Sequence, residues 1–291
     1  MNKPKDEPGL QTILSHCGRN LEASGGYVNV PPYEGSTILH DDMEDLFGRV
    51  DNHLYGDGTA QTYGTDGGPK HEAFYDAMNK LEGGAGTWAF STGLAGCTIP
   101  MMAFLKTGDH MLVTDSVYGP TRQFCEVLLK NFGVEAEFYE PTIGAGIEKL
   151  IRPNTRLIYM ESPGTHTFEM QDVPAIAAVA RKYNIVTMID NTYATPLNFQ
   201  PLKHGVDVVV HSATKYICGH SDVLMSTVTC NEKNWKQVRD VCKMTGQYAS
   251  AQSVYLGLRG LRTLKVRLDA VGVHTRKVVD WLLKREEVKK G

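Results

Sequence analysis

Six short apolar runs between residues 87 and 212 constrain the fold more than any other feature of this chain. Segments with apolar residues at helical spacing separate these runs. Strands that alternate with helices of about ten to fifteen residues are typical of an α/β domain with a mostly parallel sheet, because parallel neighbours need a crossover connection. In chain order, the runs are TWAF, HMLVTD, VEAEFYE, RLIYMES, IVTMID and VDVVVHS.

The composition narrows the class of protein. The chain has 291 residues, of which 42% are hydrophobic and 22% charged, so its length predicts one large domain with a full core and a smaller piece. Its net charge of -3 gives no general attraction to nucleic acid or to an anionic membrane. We therefore expect a small neutral or zwitterionic substrate.

Cysteine spacing and the first residues indicate the compartment. The six cysteines include no CxxC pair and no His and Cys at zinc-ligand spacing, so we expect reduced thiols and no metal site. The beginning of the chain lacks a basic segment followed by an apolar stretch, and no apolar run is long enough to span a membrane. These features predict a soluble, cytoplasmic protein.

Three regions are expected along the chain. Residues 1–65 carry little periodicity and predict an extended arm of the kind that grips a neighbouring subunit, whereas residues 66–255 hold the α/β pattern. Residues 256–291 continue a helical pattern that starts at Ala251. This pattern predicts one long helix, with a kink at Gly257 or Gly260.

Polar residues follow three of the apolar runs, and ligands of open α/β sheets bind at the carboxyl ends of strands. Ser91, Thr92 and Gly93 follow the first run, where a glycine turn can hold a phosphate or simply cap a helix. Asp190 closes the fifth run, as a helix cap or as a functional anion. Lys215 follows the sixth run among small hydroxyl residues, which favours a lysine that points into a cleft.

A lysine, a carboxylate and a phosphate-binding turn are together what pyridoxal phosphate requires of a protein. The chain resembles the Cys/Met-metabolism family of pyridoxal phosphate enzymes from about Thr12 to its last residues. The resemblance implies the aspartate aminotransferase-like fold, fold type I, whose C-terminal domain would be largely absent from this sequence. It rests on LEGGAG, STGLAG, GDHMLVTDSVYGPT, IGAGIEKLIRPNT, ESPG, QDVPAI, MIDNTYATP, SATKYICGHSD and RGLRTL.

The resemblance also implies roles for individual residues. Lys215 would bind the cofactor covalently and then transfer protons, which requires an amine that can be neutral and therefore has no carboxylate beside it. Asp190 would pair with the pyridine nitrogen. Tyr118, otherwise a half-buried aromatic at a helix start, would stack on the ring, and Tyr63 would reach the cofactor of a neighbouring subunit. The catalytic residues would be Lys215, Tyr118 and Tyr63, and the phosphate would be held by Thr92, Gly93, Leu94, Ser212 and Thr214.

The implied activity is that of a carbon–sulfur β-lyase, which cleaves L-cystathionine or a related thioether amino acid to a thiol, pyruvate and ammonia. Two alternatives stay open: a γ-lyase or γ-synthase, which shares the cofactor residues, and a degenerate relative without catalysis. A nucleotide-binding α/β protein is disfavoured because neither GxGxxG nor a P-loop motif is present. The resemblance implies a homo-oligomer, either a dimer or a dimer of dimers.

One position departs from the family pattern. Thr65 stands where the family has an arginine that reaches the phosphate in the neighbouring subunit, so one charge-assisted contact is missing. Lys70 or His71 could supply a cation instead. Both residues, however, are also typical of a solvated loop.

Overall fold

One seven-stranded sheet organises the computed structural model, which describes residues 8–19, 21, 22, 24–56 and 58–288. The strands are β1 (Gly86–Phe90), β2 (His110–Thr114), β3 (Glu135–Tyr139), β4 (Thr155–Glu161), β5 (Val186–Asp190), β6 (Val208–His211) and β7 (Ser226–Cys230). Their order across the sheet is β1, β7, β6, β5, β4, β2, β3; β7 pairs antiparallel with both β1 and β6, and the other four pairs are parallel. The predicted α/β fold with a mostly parallel sheet is confirmed.

The six predicted strands are all present, whereas β7 was not predicted. Its segment STVTC alternates hydroxyl residues with apolar ones and carries no dense apolar run. The strand is nevertheless fully buried between β1 and β6. Two of its hydroxyl side chains have partners: the hydroxyl oxygens of Thr87 and Thr229 lie 2.8 Å apart across β1 and β7, and the Ser226 hydroxyl donates to the carbonyl oxygen of Thr92 at 2.6 Å. Burial of this strand is therefore decided by its neighbours and not by its own hydropathy.

Helices cover the sheet and continue beyond it. The α-helices among the described residues are α1 (Leu10–His16), α2 (Met43–Tyr55), α3 (Pro69–Glu82), α4 (Gly93–Thr98), α5 (Gly119–Gln123), α6 (Val173–Lys182), α7 (Thr195–Asn198), α8 (Glu232–Met244), α9 (Ala251–Leu261) and α10 (Leu264–Leu282). The predicted arm is not extended throughout, because it contains α1 and α2. No side chain of α2 is buried. Residues 1–7 of the arm and residues 289–291 lie outside the described residues, and the division of the chain at residues 65 and 255 stays a prediction.

The expected long helix is two helices, α9 and α10, and the break lies at Arg262 and Thr263 and not at a glycine. Gly260 lies inside α9, where an added Cβ would be 2.2 Å from the carbonyl oxygen of Ile217. This glycine therefore permits close packing of α9 against the segment that follows β6. The expectation of a kink at Gly257 or Gly260 was wrong, because both glycines serve helix packing.

Alternate residues of the central strands enter separate clusters of the core, as the two-residue period of a strand requires. Val208 and Val210 pack in one cluster with residues of α4 and α8, whereas Val209 packs in another with residues of α6. Both faces of the sheet are therefore covered. At the end of α3, the fully buried Glu82 and His211 pair at 2.5 Å and join that helix to β6. No helix among the described residues is long and apolar enough to cross a membrane.

Lys70 and His71 do not lie in a solvated loop, and that interpretation was wrong. Both residues belong to the first turn of α3 and are buried, with 1% and 2% of their surface exposed. The Lys70 amine donates to the carbonyl oxygen of Val30 at 2.6 Å and lies 4.4 Å from the centre of the Tyr255 ring. The His71 ring contacts the Ala249 carbonyl oxygen at 2.7 Å. Both side chains thus hold neighbouring segments together.

Candidate active site

A cavity of about 1270 Å³ opens at the carboxyl ends of the parallel strands. The residues that follow β1, β2, β4, β5 and β6 all reach it, since parallel strands end at the same edge of a sheet. The structure brings together every predicted site residue except Tyr63. Those that line the cavity are Thr92, Gly93, Leu94, Tyr118, Asp190, Ser212, Thr214 and Lys215.

Lys215 lies on a tight turn directly after β6. Its backbone N–H donates to the Ser212 carbonyl oxygen at 3.0 Å, and its own carbonyl oxygen accepts from the N–H of Gly219 at 2.8 Å. The neighbouring side chains of Ala213 and Ile217 are buried and anchor the turn in the core. The turn therefore fixes the backbone on both sides of Lys215 and directs its exposed side chain into the cavity.

Asp190 ends β5 and is 8% exposed. One carboxylate oxygen accepts from the backbone N–H of Thr192 at 2.9 Å, and the other lies 3.5 Å from the Cys97 sulfur. Burial and the nearby Asp190 charge raise the pKa of the Cys97 thiol, so Cys97 stays a neutral thiol beside the carboxylate. Asp190 is thus a nearly buried carboxyl side chain with fixed partners in the lining of the cavity.

A cradle of backbone and hydroxyl groups lies between β1 and the Lys215 turn. A Cβ added to Gly93 would lie 2.6 Å from the Ser212 hydroxyl oxygen, so only a glycine lets the two segments approach this closely. The Thr92 hydroxyl accepts from the N–H of Ala95 at 3.2 Å and caps α4. The predicted helix cap is therefore present at this turn, and the predicted contact with a phosphate stays a prediction.

Thr214 has a structural partner as well as a place in the cavity lining. Its hydroxyl accepts from the backbone N–H of Met225 at 2.9 Å and lies 3.2 Å from the carbonyl oxygen of the same residue. These contacts tie the Lys215 turn to the start of β7. The Ser212 backbone is fixed in a similar way, because its N–H donates to the Thr192 hydroxyl at 2.7 Å.

Glu161 is the main site residue that sequence reasoning missed. It ends β4, is 4% exposed and lines the cavity. In the register of the sheet it is the direct partner of Asp190, so two acidic side chains end neighbouring strands. Burial and the Asp190 charge raise the pKa of Glu161 to about 8. Acids at the ends of two successive strand runs, RLIYMES and IVTMID, were the signal that could have revealed this pair.

Arg267 of α10 also lines the cavity and was not predicted. Its guanidinium group donates to the carbonyl oxygen of Tyr216 at 2.6 Å and to that of Gly260 at 2.8 Å. The same group fills the space beside Gly219, where an added Cβ would lie 2.0 Å from Nη1. Arg267 therefore holds the turn that follows Lys215 against the end of α9.

Tyr63 and Thr65 are not among the residues that line this cavity. Both lie at a short 3₁₀ helix, Gly64–Asp66, and both are exposed. The Asp66 carboxylate accepts from the N–H of Thr62 at 2.7 Å and from that of Tyr63 at 3.0 Å, so the segment has a defined shape. The predicted role of Tyr63 at the cofactor of a neighbouring subunit stays a prediction.

The residues of the cavity fit pyridoxal phosphate. Asp190 and Glu161 are adjacent buried acids, and neither forms a salt bridge with a cationic side chain in the part of the chain that the structure describes. A protonated pyridine nitrogen would supply the missing positive charge. The exposed Lys215 amine and the Gly93 cradle share the same cavity. Fold and cavity together define a class: α/β proteins that bind a cofactor on a lysine at the carboxyl edge of a mostly parallel sheet.

Comparison with known proteins agrees with this class and gives the family. The model of the Cys/Met metabolism PLP-dependent enzymes matches residues 11–290. Cystathionine beta-lyase MetC of Escherichia coli is 38% identical over 281 residues, which are 96% of this chain and 70% of that protein. Cystathionine beta-lyase of Haemophilus influenzae is also 38% identical, over 96% of this chain and 70% of its own length.

A solved structure gives the same result for the fold. Cystathionine gamma-lyase from Lactobacillus plantarum, complexed with L-serine, matches with a TM-score of 0.88 and 29% identity, over 97% of this chain and 71% of the other. The chain belongs to the Cys/Met metabolism family of pyridoxal phosphate-dependent enzymes. Its cofactor is pyridoxal 5'-phosphate, as predicted, and its relatives include both β-lyases and γ-lyases.

Proposed function

We propose that this chain is a carbon–sulfur β-lyase that acts on L-cystathionine or a related thioether amino acid. The observation that carries the proposal is the position of Lys215 and Asp190 in one cavity, where they follow and end neighbouring parallel strands. The β-lyases among the relatives, at 38% identity over 96% of this chain, favour β-elimination. Cystathionine gamma-lyase of Bacillus subtilis is 34% identical over 94% of this chain, so γ-elimination is the alternative.

Each cavity residue has a part in binding the cofactor. Lys215 would hold it covalently, and the Asp190 carboxylate would pair with its pyridine nitrogen. Tyr118, with 44% of its surface exposed, presents a ring on which the cofactor can stack. The phosphate would lie at the cradle formed by Gly93 and Ser212, whose close approach leaves no space for a side chain at residue 93.

Elimination requires a proton transfer that Lys215 can perform. Bound pyridoxal phosphate accepts the electrons that remain when the substrate Cα loses its proton. The Lys215 amine, which lines the cavity, would take the α-proton as a base. Breakage of the Cβ–S bond then releases the thiol, to which Lys215 can return a proton as an acid. Water converts the remaining three carbons and their nitrogen to pyruvate and ammonia.

Product analysis separates this proposal from its alternatives. Cleavage of the Cβ–S bond of L-cystathionine gives homocysteine, pyruvate and ammonia, whereas cleavage of the Cγ–S bond gives cysteine, 2-oxobutyrate and ammonia. Chromatography of the keto acids should show pyruvate. A product mixture dominated by 2-oxobutyrate would replace the proposal with γ-elimination, and holoprotein without either keto acid would support a non-catalytic relative.

The lysine assignment has its own test. Borohydride reduction and peptide mapping should find the cofactor on Lys215, and Lys215→Ala should abolish turnover. Lys203→Ala is a matched control, since this exposed lysine precedes β6 at the opposite end of the strand. It should keep full activity and the same labelled peptide. A label on any lysine other than Lys215 would contradict the site.

A second copy of the chain would complete the site. Tyr63 is 52% exposed and does not line the cavity of its own chain, so we propose that it serves the cavity of a neighbouring subunit. Exposed apolar side chains on α2, which include Phe47 at 59% and Tyr55 at 80%, support burial of the arm in a homo-oligomer. A cytoplasmic location fits the six buried, free cysteines.

A further inference from the structure

Glu161 joins three segments of the site, although no predicted role includes it. One carboxyl oxygen accepts from the backbone N–H of Tyr118 at 2.8 Å. The other accepts from the Thr165 hydroxyl. The Glu161 carbonyl oxygen accepts from the side-chain amide of Gln171 at 2.8 Å. A single side chain therefore connects the end of β4 to the residue that presents the candidate stacking ring.

The same two segments are joined independently of Glu161. The N–H of Thr165 donates to the carbonyl oxygen of Ser116 at 2.8 Å. Gly164 lies so close to Ser116 that an added Cβ would be 2.4 Å from the serine hydroxyl oxygen. The chain before Tyr118 is thus packed tightly against residues 164 and 165. Glu161 completes this support where Tyr118 itself begins.

Besides Glu161, the Tyr118 backbone has the N–H of Arg122, which donates to the Tyr118 carbonyl oxygen at 3.0 Å. Its ring is 44% exposed at the cavity, and the turn that carries it precedes the short helix α5. The contact with Glu161 lies at the backbone of Tyr118, so it fixes the direction in which the ring leaves the chain and not the ring surface. Loss of that contact would leave the Tyr118 ring in the protein but would no longer fix its orientation.

The surroundings of Glu161 make a hydrogen-bonding role more suitable than an ionic one. Its titratable neighbours are Asp190 on β5, Cys97 on α4 and Tyr159 on β4, and all of them are buried. Each of these neighbours is neutral or negative, and no salt bridge to Glu161 exists among the described residues. A carboxyl group here is therefore more stable with its proton. An uncharged amide of the same shape could accept from the Tyr118 N–H and donate to the Thr165 hydroxyl, which can also act as an acceptor.

We propose that Glu161 is a positioning residue that holds Tyr118 over the cofactor ring through hydrogen bonds, and that its negative charge is not required. This inference rests on the proposed cofactor position in the cavity. Glu161→Gln keeps an acceptor for the Tyr118 N–H and gains a donor for the Thr165 hydroxyl. Glu161→Ala removes both contacts.

The test measures cofactor binding and not turnover. Apo-protein is titrated with pyridoxal phosphate, and visible-region circular dichroism of the bound cofactor reports how firmly the ring is oriented. Glu161→Gln should keep the dissociation constant within about twofold of the wild type and keep the dichroism. Glu161→Ala should weaken binding of pyridoxal phosphate about tenfold, because it removes a hydrogen bond to a buried carboxyl group. This variant should also lose most of the dichroism. Glu232→Gln, an exposed acid at the start of α8, is the control and should change neither.

A double-mutant cycle with Tyr118 separates positioning from a general structural role. In a Tyr118→Ala background the backbone contact persists but no ring remains to be held. Glu161→Ala should then weaken binding less than twofold. An equal tenfold loss in both backgrounds would overturn the proposal, as would a Glu161→Gln variant that loses as much binding as Glu161→Ala. Peptide mapping of Lys215 tests the cofactor position separately, so failure of this inference is distinguishable from failure of the proposed function.

Discussion

Gly219→Ala should destabilise the turn after Lys215 more than an ordinary glycine substitution would. Gly219 has φ +77°, and an added Cβ would lie 2.0 Å from Nη1 of Arg267. Alanine therefore adds two costs, the left-handed backbone and displacement of the guanidinium group. Gly246 provides a matched control, because it has φ +65° but nothing within 4 Å of an added Cβ.

The two costs have different sizes. A left-handed alanine costs about 1 to 2 kcal/mol, which is all that Gly246→Ala should lose. Displacement of Arg267 also removes its contacts with the carbonyl oxygens of Tyr216, at 2.6 Å, and Ile217, at 3.4 Å. Because hydrogen bonds to charged groups contribute about 1.5 to 3 kcal/mol each and this guanidinium is partly exposed, we expect a further loss of about 2 kcal/mol. Gly219→Ala should therefore lose about 3 to 4 kcal/mol in total.

Urea unfolding of the apo-proteins measures both losses. A third variant, Arg267→Met, removes the group that an alanine at residue 219 would displace. In that background, Gly219→Ala should cost only the backbone strain, about 1 to 2 kcal/mol. Two results would refute the reasoning: equal losses for Gly219→Ala and Gly246→Ala, or strict additivity of Gly219→Ala and Arg267→Met. Either would mean that Arg267 does not fill the space beside Gly219 in solution.

Two further predictions concern a buried lysine and the subunit contact. Burial lowers the pKa of Lys70 to about 8. Between pH 8 and about 10.5, the unfolded chain therefore holds a proton that the folded chain has lost. The free energy of unfolding consequently increases as the pH rises through this range. The unfolding free energy of wild type relative to Lys70→Met should therefore increase from pH 8 to pH 10 in urea titrations and stay constant below pH 8; a difference that is constant throughout would contradict this. If Tyr63 serves a neighbouring cavity, inactive Tyr63→Ala and inactive Lys215→Ala subunits can complement each other. An equal mixture that reassembles randomly as dimers should then regain about a quarter of wild-type activity. No recovery would place Tyr63 and Lys215 in the site of the same chain.

Local patterns were sufficient for most of the sheet and for the residues at its edge. Dense apolar runs such as VDVVVHS are stable only when both faces are covered, so they predicted six strands and the parallel class. The polar residues directly after those runs could be predicted to meet, because parallel strands end at one edge. Asp190 and Lys215 were found in this way, and the family resemblance added Tyr118 and the phosphate residues.

Features that depend on distant neighbours were not predictable from local pattern. The strand β7 reads as a weakly apolar segment, yet it is fully buried because β1 and β6 surround it and Thr87 satisfies the Thr229 hydroxyl. Lys70 looked solvated because a lysine usually is, whereas here a carbonyl oxygen and an aromatic ring, 40 and 185 residues away in sequence, make its burial possible.

The sequence by itself determined the α/β class, the cofactor chemistry and the set of residues that meet at the carboxyl edge of the sheet. The α/β class and the positions of Asp190 and Lys215 follow from strand periodicity and from residues next to strand ends, which are local properties, and the family resemblance supplied the other site residues. Only the tertiary structure decided that Glu161 lies beside Asp190 and accepts from the backbone of Tyr118, that Arg267 holds the Lys215 turn, and that Tyr63 is not among the residues lining the cavity of its own chain. Those relations depend on strand order and helix packing, which join residues that are far apart in sequence and leave no local pattern.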